Sequence, residues 1–146
     1  MGNPQDGEEP KPLMGVWGSE RPKVKMHPYP TILVAEDEEL IRMILCEVML
    51  EHGFCTASAS STEEALRLID ERDDISAAFI DIDLGDRGGG YVVARHIRAL
   101  RPDVKIVYTS GGARGDFERE RVKDAAFVPK PYLPDRVCDL IAERLG

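Results

Sequence analysis

Residues 31–38 read TILVAEDE, an apolar run of five that stops abruptly at three acids. A continuous apolar stretch of that length suits a strand buried on both faces, as in a parallel sheet covered by helices. The period then changes. Leu40, Ile41, Ile44, Leu45 and Val48 recur at helical spacing over 40–50, and Gly53 after His52 suits a helix C-terminus. The alternation continues along the chain. Further short strands are predicted over 54–58, 75–80 (running into Asp81), 104–109 and 126–128. A capping box, Ser61-Thr62-Glu63-Glu64, opens a helix through Ile69. Val92, Val93, Ile97 and Leu100 mark a helix over 91–100, with Pro102 beyond it. Val137, Leu140 and Ile141 face inward on a last helix over 135–145, and 117–123 is a weak, highly charged helix candidate. Five strands alternating with five helices predict an α/β fold, a doubly wound five-stranded parallel sheet in the common order 2-1-3-4-5. Crossovers in such sheets are right-handed, and ligands bind outside the carboxyl ends of the strands, at the switch point.

The chain has 146 residues, 42% apolar and 32% charged, which makes one domain with, at most, an appendage. No apolar run approaches the roughly 18 residues of a membrane span, and the first thirty residues lack the apolar core of a secretory signal. The formal charge of −8 argues against a duplex nucleic acid or anionic membrane partner, which needs a basic face. Residues 1–30 hold six of the ten prolines, four acids and four bases, with no amphipathic period. They read as a disordered, proline-rich tail, and residues 31–146 as the domain. Cys46, Cys55 and Cys138 stand apart, each in an apolar stretch, and read as small core residues in a reducing compartment. His27, His52 and His96 are equally scattered, which leaves a histidine-based metal or triad site with little support.

The strand ends carry the chemistry. The first strand ends in Glu36-Asp37, the third in Asp81 with Asp83 two residues on, the fourth in Thr109-Ser110-Gly111 and the fifth in Lys130-Pro131. In the order 2-1-3-4-5 the first and third strands are neighbours, so Glu36, Asp37 and Asp81 converge on one pocket. Two carboxylates ~4 Å apart repel by about 4 kcal/mol at an effective dielectric of about 20, so the cluster needs a cation. All-oxygen ligands with few protein contacts suit Mg²⁺. With the Lys130 ammonium and a hydroxyl from the fourth strand, the set has the parts of a phosphoryl-transfer site.

Residues 32–145 resemble the receiver domain of two-component response regulators. The resemblance lies in the acidic pair of ILVAEDE, the acceptor of AAFIDIDLG, the hydroxyl of IVYTSG and the lysine of FVPKPY. It implies a flavodoxin-like receiver fold in which Asp81 accepts a phosphoryl group from a phosphohistidine on a histidine kinase or histidine phosphotransfer protein. It also implies that Asp37 and Asp81 bind Mg²⁺ directly, Glu36 through water, and Asp83 through its backbone carbonyl. Lys130 would pair with Asp81 and then with the phosphoryl oxygens, and its peptide bond to Pro131 would be cis. Either Thr109 or Ser110 can be the switch hydroxyl; the receiver pattern favours Ser110, because a small residue, Gly111, follows it. Thr109 would then be a part-buried residue facing the helical layer. The aromatic switch position falls on Phe127. Gly85 stands where many receivers have proline, and with Gly88-Gly89-Gly90 it predicts a loop softer than usual. The leading functional expectation is a stand-alone, cytoplasmic receiver that is not itself an enzyme beyond self-phosphorylation and autodephosphorylation. It would act through a partner protein or a phosphorelay, as a monomer or a weak phosphorylation-dependent dimer. Two alternatives stand beside it: a Mg²⁺-dependent phosphatase of the haloacid-dehalogenase type, from the D-x-D of Asp81-Ile82-Asp83, and a receiver fragment of a hybrid histidine kinase.

Overall fold

A computed structural model describes residues 29–112 and 115–146; the tail expected over 1–30 lies outside them apart from Tyr29 and Pro30. Five strands alternate with five helices: β1 Thr31–Ala35, α1 Glu39–Glu51, β2 Cys55–Ala59, α2 Thr62–Glu71, β3 Ile75–Asp81, α3 Gly89–Leu100, β4 Lys105–Ser110, α4 Phe117–Glu120, β5 Ala126–Pro129 and α5 Pro134–Leu145. The strands form one parallel sheet in the order β2-β1-β3-β4-β5. Because side chains alternate across a strand, the sheet feeds two cores. Leu33, Ala78, Ile80, Ile106 and Tyr108 pack with Ala65 and Ile69 of α2 and Val93 and Ile97 of α3. Ile32, Val34, Phe79 and Val107 pack with Leu45 and Met49 of α1 and Val137, Cys138 and Ile141 of α5.

The boundaries differ from the sequence reading where a backbone group finds a nearer partner. Phe54 N–H donates to the Met49 carbonyl at 2.9 Å, closing α1, so β2 begins at Cys55. Val104 N–H likewise turns back to the Arg101 carbonyl, and β4 runs from Lys105 to Ser110. At Ser61 the capping box forms with its return arm displaced. Glu64 N–H donates to Ser61 Oγ at 3.1 Å, while the Glu64 carboxylate accepts from the Ser60 N–H at 2.8 Å. The largest departure is α4, a single turn rather than the expected seven residues. Its continuation is diverted, because Val122 N–H donates to the buried Tyr108 hydroxyl at 3.1 Å.

Two expectations about burial are corrected. Leu40 is 68% and Ile44 42% exposed, since α1 buries only the narrow stripe through Leu45 and Met49; Val92 and Leu100 of α3 are exposed for the same reason. Of the cysteines only Cys138 is buried, and burial pushes its thiol up to about 11. Cys46 and Cys55 are half-buried, the first on α1 at the margin of the core and the second at the start of the edge strand β2.

The glycine-rich loop is not uniformly soft. Gly85 and Gly88 take positive φ, +74° and +77°, which glycine allows. Gly89 and Gly90 are buried and serve close approach. Gly90 N–H donates to the Ile82 carbonyl at 2.7 Å, and a Cβ there would strike the backbone of Asp81 and Ile82. One at Gly89 would meet Thr62 Oγ1 and the Leu84 carbonyl. Gly90→Ala should therefore lower stability by about 2–3 kcal/mol, the cost of forced overpacking. Gly85→Ala, with open space around it, should lose about 1 kcal/mol from its positive φ alone. Urea unfolding of the two variants checks the order; equal losses would mean that α3 does not need to lie this close to the end of β3.

Candidate functional site

β1 and β3 lie side by side, with Ala35 opposite Ile80, so Glu36 and Asp81 follow as the next residues of adjacent strands. Glu36 is 1% and Asp81 6% exposed, whereas Asp37 is exposed. One oxygen from each of the three carboxylates lies within 4.8 Å of the other two. Lys130 closes the group from the far side. Its Nζ donates to Asp81 Oδ2 at 3.0 Å and forms an ion pair with Glu36 Oε1 at 3.1 Å. The Lys130 backbone N–H donates to the Ser110 carbonyl at 2.9 Å, and the Lys130–Pro131 peptide bond is cis.

The electrostatics follow from this packing. Burial raises the Glu36 carboxyl above its ordinary value, and the Glu38 N–H at 2.9 Å and Lys130 oppose that rise. Burial alone would lower the Lys130 ammonium, but the hydrogen bond and charge of Asp81, with those of Glu36, outweigh it and raise the pKa. Lys130 is therefore held charged and Asp81 has a cationic partner at contact distance.

The remaining candidates take different positions. Asp83 N–H donates to Asp81 Oδ1 at 3.0 Å, and the Asp83 carboxylate accepts from the Gly88 N–H at 3.0 Å. That contact ties one oxygen of the second carboxylate of the D-x-D to the glycine loop. Ser110 and Thr109 are both buried, so Thr109 is more enclosed than the sequence suggests. Ser110 shares the strand parity of Ile106 and Tyr108; Thr109 shares that of Val107, toward α1 and α5. Ser110 Oγ accepts from the Gly112 N–H at 3.4 Å, and Thr109 Oγ1 has no hydrogen-bond partner among the described residues. Phe127 is 37% exposed on the edge strand β5, its ring 5.1 Å from that of Phe117. Phe117 continues through Tyr108 to Tyr91 in edge-on contacts at 5.6 Å.

Sequence reasoning missed three contributors. Arg42 Nη1 donates to the Glu36 carbonyl at 2.8 Å, pinning the acidic turn to α1. Tyr132 packs edge-on against Phe79 at 5.3 Å, and burial next to Glu36 raises its phenol. Gly90 sets the distance between α3 and the Asp81 backbone. Only Tyr132 had a signal, its place two residues after Lys130.

The donors are carboxylate oxygens, one of them exposed, a set that fits a small hard cation keeping part of its water shell. The profile of the response regulator receiver domain matches residues 32–142. The chain belongs to that family. As a receiver it is similar to the sensor kinase CckA of Brucella abortus, 29% identical over 118 residues, which cover 79% of this chain and 12% of CckA. It is 26% identical to a putative NtrX-like response regulator of Rickettsia bellii over 75% of this chain and 23% of that protein. The receiver thus spans under a quarter of the length of these relatives. Among solved structures, a response regulator receiver protein from Sinorhizobium medicae superposes with a TM-score of 0.75 at 26% identity, covering 81% of this chain and 95% of that one. Phosphorylation on aspartate and Mg²⁺ binding at the acidic pocket are general to the family.

Because Glu36 is buried, removing the ammonium that faces it should be destabilising. Lys130→Ala in metal-free buffer should lower stability by about 2–3 kcal/mol, the scale of an orphaned, largely buried charge. Adding Glu36→Gln should restore part of the loss. Urea titrations of the single and double variants test this; additive losses would show that the two groups do not interact.

Proposed function

We propose that the chain is a phosphoacceptor module in which Asp81 takes a phosphoryl group from a phosphohistidine. The observation that carries the reading is the single ammonium, Lys130, in contact with Asp81 and Glu36 at the mouth formed by β1 and β3. The donor is proposed to be a histidine kinase or histidine phosphotransfer protein. In the transfer an Asp81 carboxylate oxygen forms the new P–O bond while the P–N bond to the donor imidazole breaks. The electron pair returns to the ring nitrogen. Glu36, Asp37, Asp81 and the Asp83 carbonyl are the proposed Mg²⁺ ligands, and the bound ion would supply charge neutralisation for the incoming phosphoryl oxygens. Lys130 holds Asp81 in place before transfer and is positioned to take a phosphoryl oxygen after it. Exposed Leu40, Ile44 and Leu133 on α1 and before α5 offer a protein donor an apolar surface beside the site.

Among the described residues no helix is long and apolar enough to cross a membrane, and all three cysteines are free, which agrees with a reducing cytoplasmic setting. The first reading is a receiver that signals through a protein partner or passes the phosphoryl group on. The likeness to a sensor kinase supports a second reading, a receiver working within a hybrid kinase. Transfer at Asp81 is common to both.

With acetyl phosphate and Mg²⁺ the protein should gain one acid-labile phosphoryl group, visible by intact mass. Asp81→Asn should not, and Asp37→Ala should lose the Mg²⁺-dependent changes in backbone NMR shifts. Labelling of Asp81→Asn at the wild-type rate would place the acceptor elsewhere.

Ser110 is the proposed hydroxyl that reads the phosphoryl group, with Phe127 following it. Ser110→Ala should still be phosphorylated but lose most of the phosphorylation-dependent NMR shift around Phe127. Thr109→Ala should keep that shift, and the reverse result reassigns the switch to Thr109.

A further inference from the structure

The acidic chain hides a basic groove at the end of the sheet opposite Asp81. It is an open groove of about 1310 Å³ between the end of α3, the start of β4, the one-turn α4 and the end of α5. Seven of its fifteen lining residues are Arg or Lys and three are acids, a local net charge of +4 on a chain of −8. The groove exists because α4 stops early. Two arginines hold the backbone on its two sides, the α3–β4 connection and the segment after α4. Arg98 donates to the carbonyls of Pro102, Val104 and Lys123 at 3.0, 2.7 and 3.0 Å. Arg121 donates to the Ala125 carbonyl at 2.6 Å. These ties hold the rim in one shape, while Glu120 pairs with Arg95 and Arg119 at 3.2 Å and Glu118 reaches Arg121 only at 3.9 Å, so the acids offset part of the positive charge.

Arg95 is taken up by the Glu120 carbonyl and carboxylate at 3.1 and 3.2 Å, and the remaining cations have unused donors. Lys105 and Lys123 are exposed and make no ion pair among the described residues. Arg144 reaches only the Asp124 carbonyl, at 3.4 Å, and Arg119 uses its Nε on Glu120. We propose that this groove binds a small anion carrying several phosphate groups. Guanidinium forks match phosphate oxygens pairwise, and a held rim reduces the ordering that binding requires. Among the described residues no aromatic side chain lines the groove, so recognition runs through the phosphates rather than through a stacked base. A long polyanion fits worse, because it would extend over the acidic remainder of the surface, which repels it.

Isothermal titration calorimetry of the full chain in Mg²⁺-free, low-salt buffer is the test, with inorganic tripolyphosphate, ATP, a short DNA duplex and hexaglutamate as probes. Tripolyphosphate and ATP are expected to bind with similar affinity, and ¹⁵N shifts are expected to change at Lys105, Lys123 and Arg144. Lys105→Gln combined with Lys123→Gln should weaken both about tenfold, as loss of two phosphate contacts implies. The double variant should keep its thermal midpoint and its labelling by acetyl phosphate. No saturation by about 1 mM tripolyphosphate, a double variant with unchanged affinity, or shifts centred on Asp81 would each overturn the proposal. Tighter binding of ATP than of tripolyphosphate would overturn recognition by phosphates alone. Tighter binding of the duplex or of hexaglutamate would replace the ligand class with nucleic acid or acidic protein.

Discussion

Carboxylates from the ends of two adjacent strands cannot share a pocket without a cation, and that constraint organises the site end of the molecule. Glu36 and Asp81 are buried beside each other with Asp37 at the rim. The cation comes from β5, two strands away from β3 in the sheet. At about 4.8 Å per strand that is a crossing of nearly 10 Å, which the long lysine stem covers together with its 3.0 Å hydrogen bond to the Asp81 side chain that meets it. The path passes the end of β4 at Gly111, where a Cβ would make ordinary contact with the Lys130 stem at 3.9 Å, so a small residue leaves it open. The Ser110 carbonyl holds the Lys130 backbone at the start of the crossing. The sheet order, the small residue after β4 and the lysine after β5 are thus parts of one electrostatic solution.

The loops around the pocket follow the same requirement. Gly90 brings the first turn of α3 against the Asp81 backbone, and Asp83 uses both its N–H and its carboxylate to tie Asp81 to the glycine loop. Arg42 fixes the acidic turn from the other side. The aspartate is held by backbone and charge together, which limits its motion.

At the other end of the sheet the short α4 has two consequences. It leaves Tyr108 as the partner of the Val122 N–H and places Phe117 between Tyr108 and Phe127, so α4 and β5 are joined through aromatic rings rather than through a long helix face. It also leaves carbonyls that Arg98 and Arg121 satisfy, and those arginines gather positive charge on one side of an acidic protein. Helix shortening and groove charge have a common cause.

The alternation of apolar runs with helical periods was enough to specify five strands, five helices and the parallel order, because burial on both faces leaves a β/α sequence few other arrangements. Glu36, Asp37, Asp81 and Lys130 were legible as a set, since each ends a strand and strand ends of a parallel sheet share one edge. What stayed hidden depends on partners distant in sequence. Leu40 and Ile44 have the spacing of core residues, yet only the packing of α1 against the sheet and α5 determines which stripe is covered. The length of α4 was set by the Tyr108 hydroxyl, fourteen residues from the N–H it captures. The tight glycines read as softness because a sequence does not show the backbone that a missing Cβ lets in. The basic groove was invisible in a net charge of −8, since its cations come from α3, β4, the α4 segment and α5 and become neighbours only when the chain is folded.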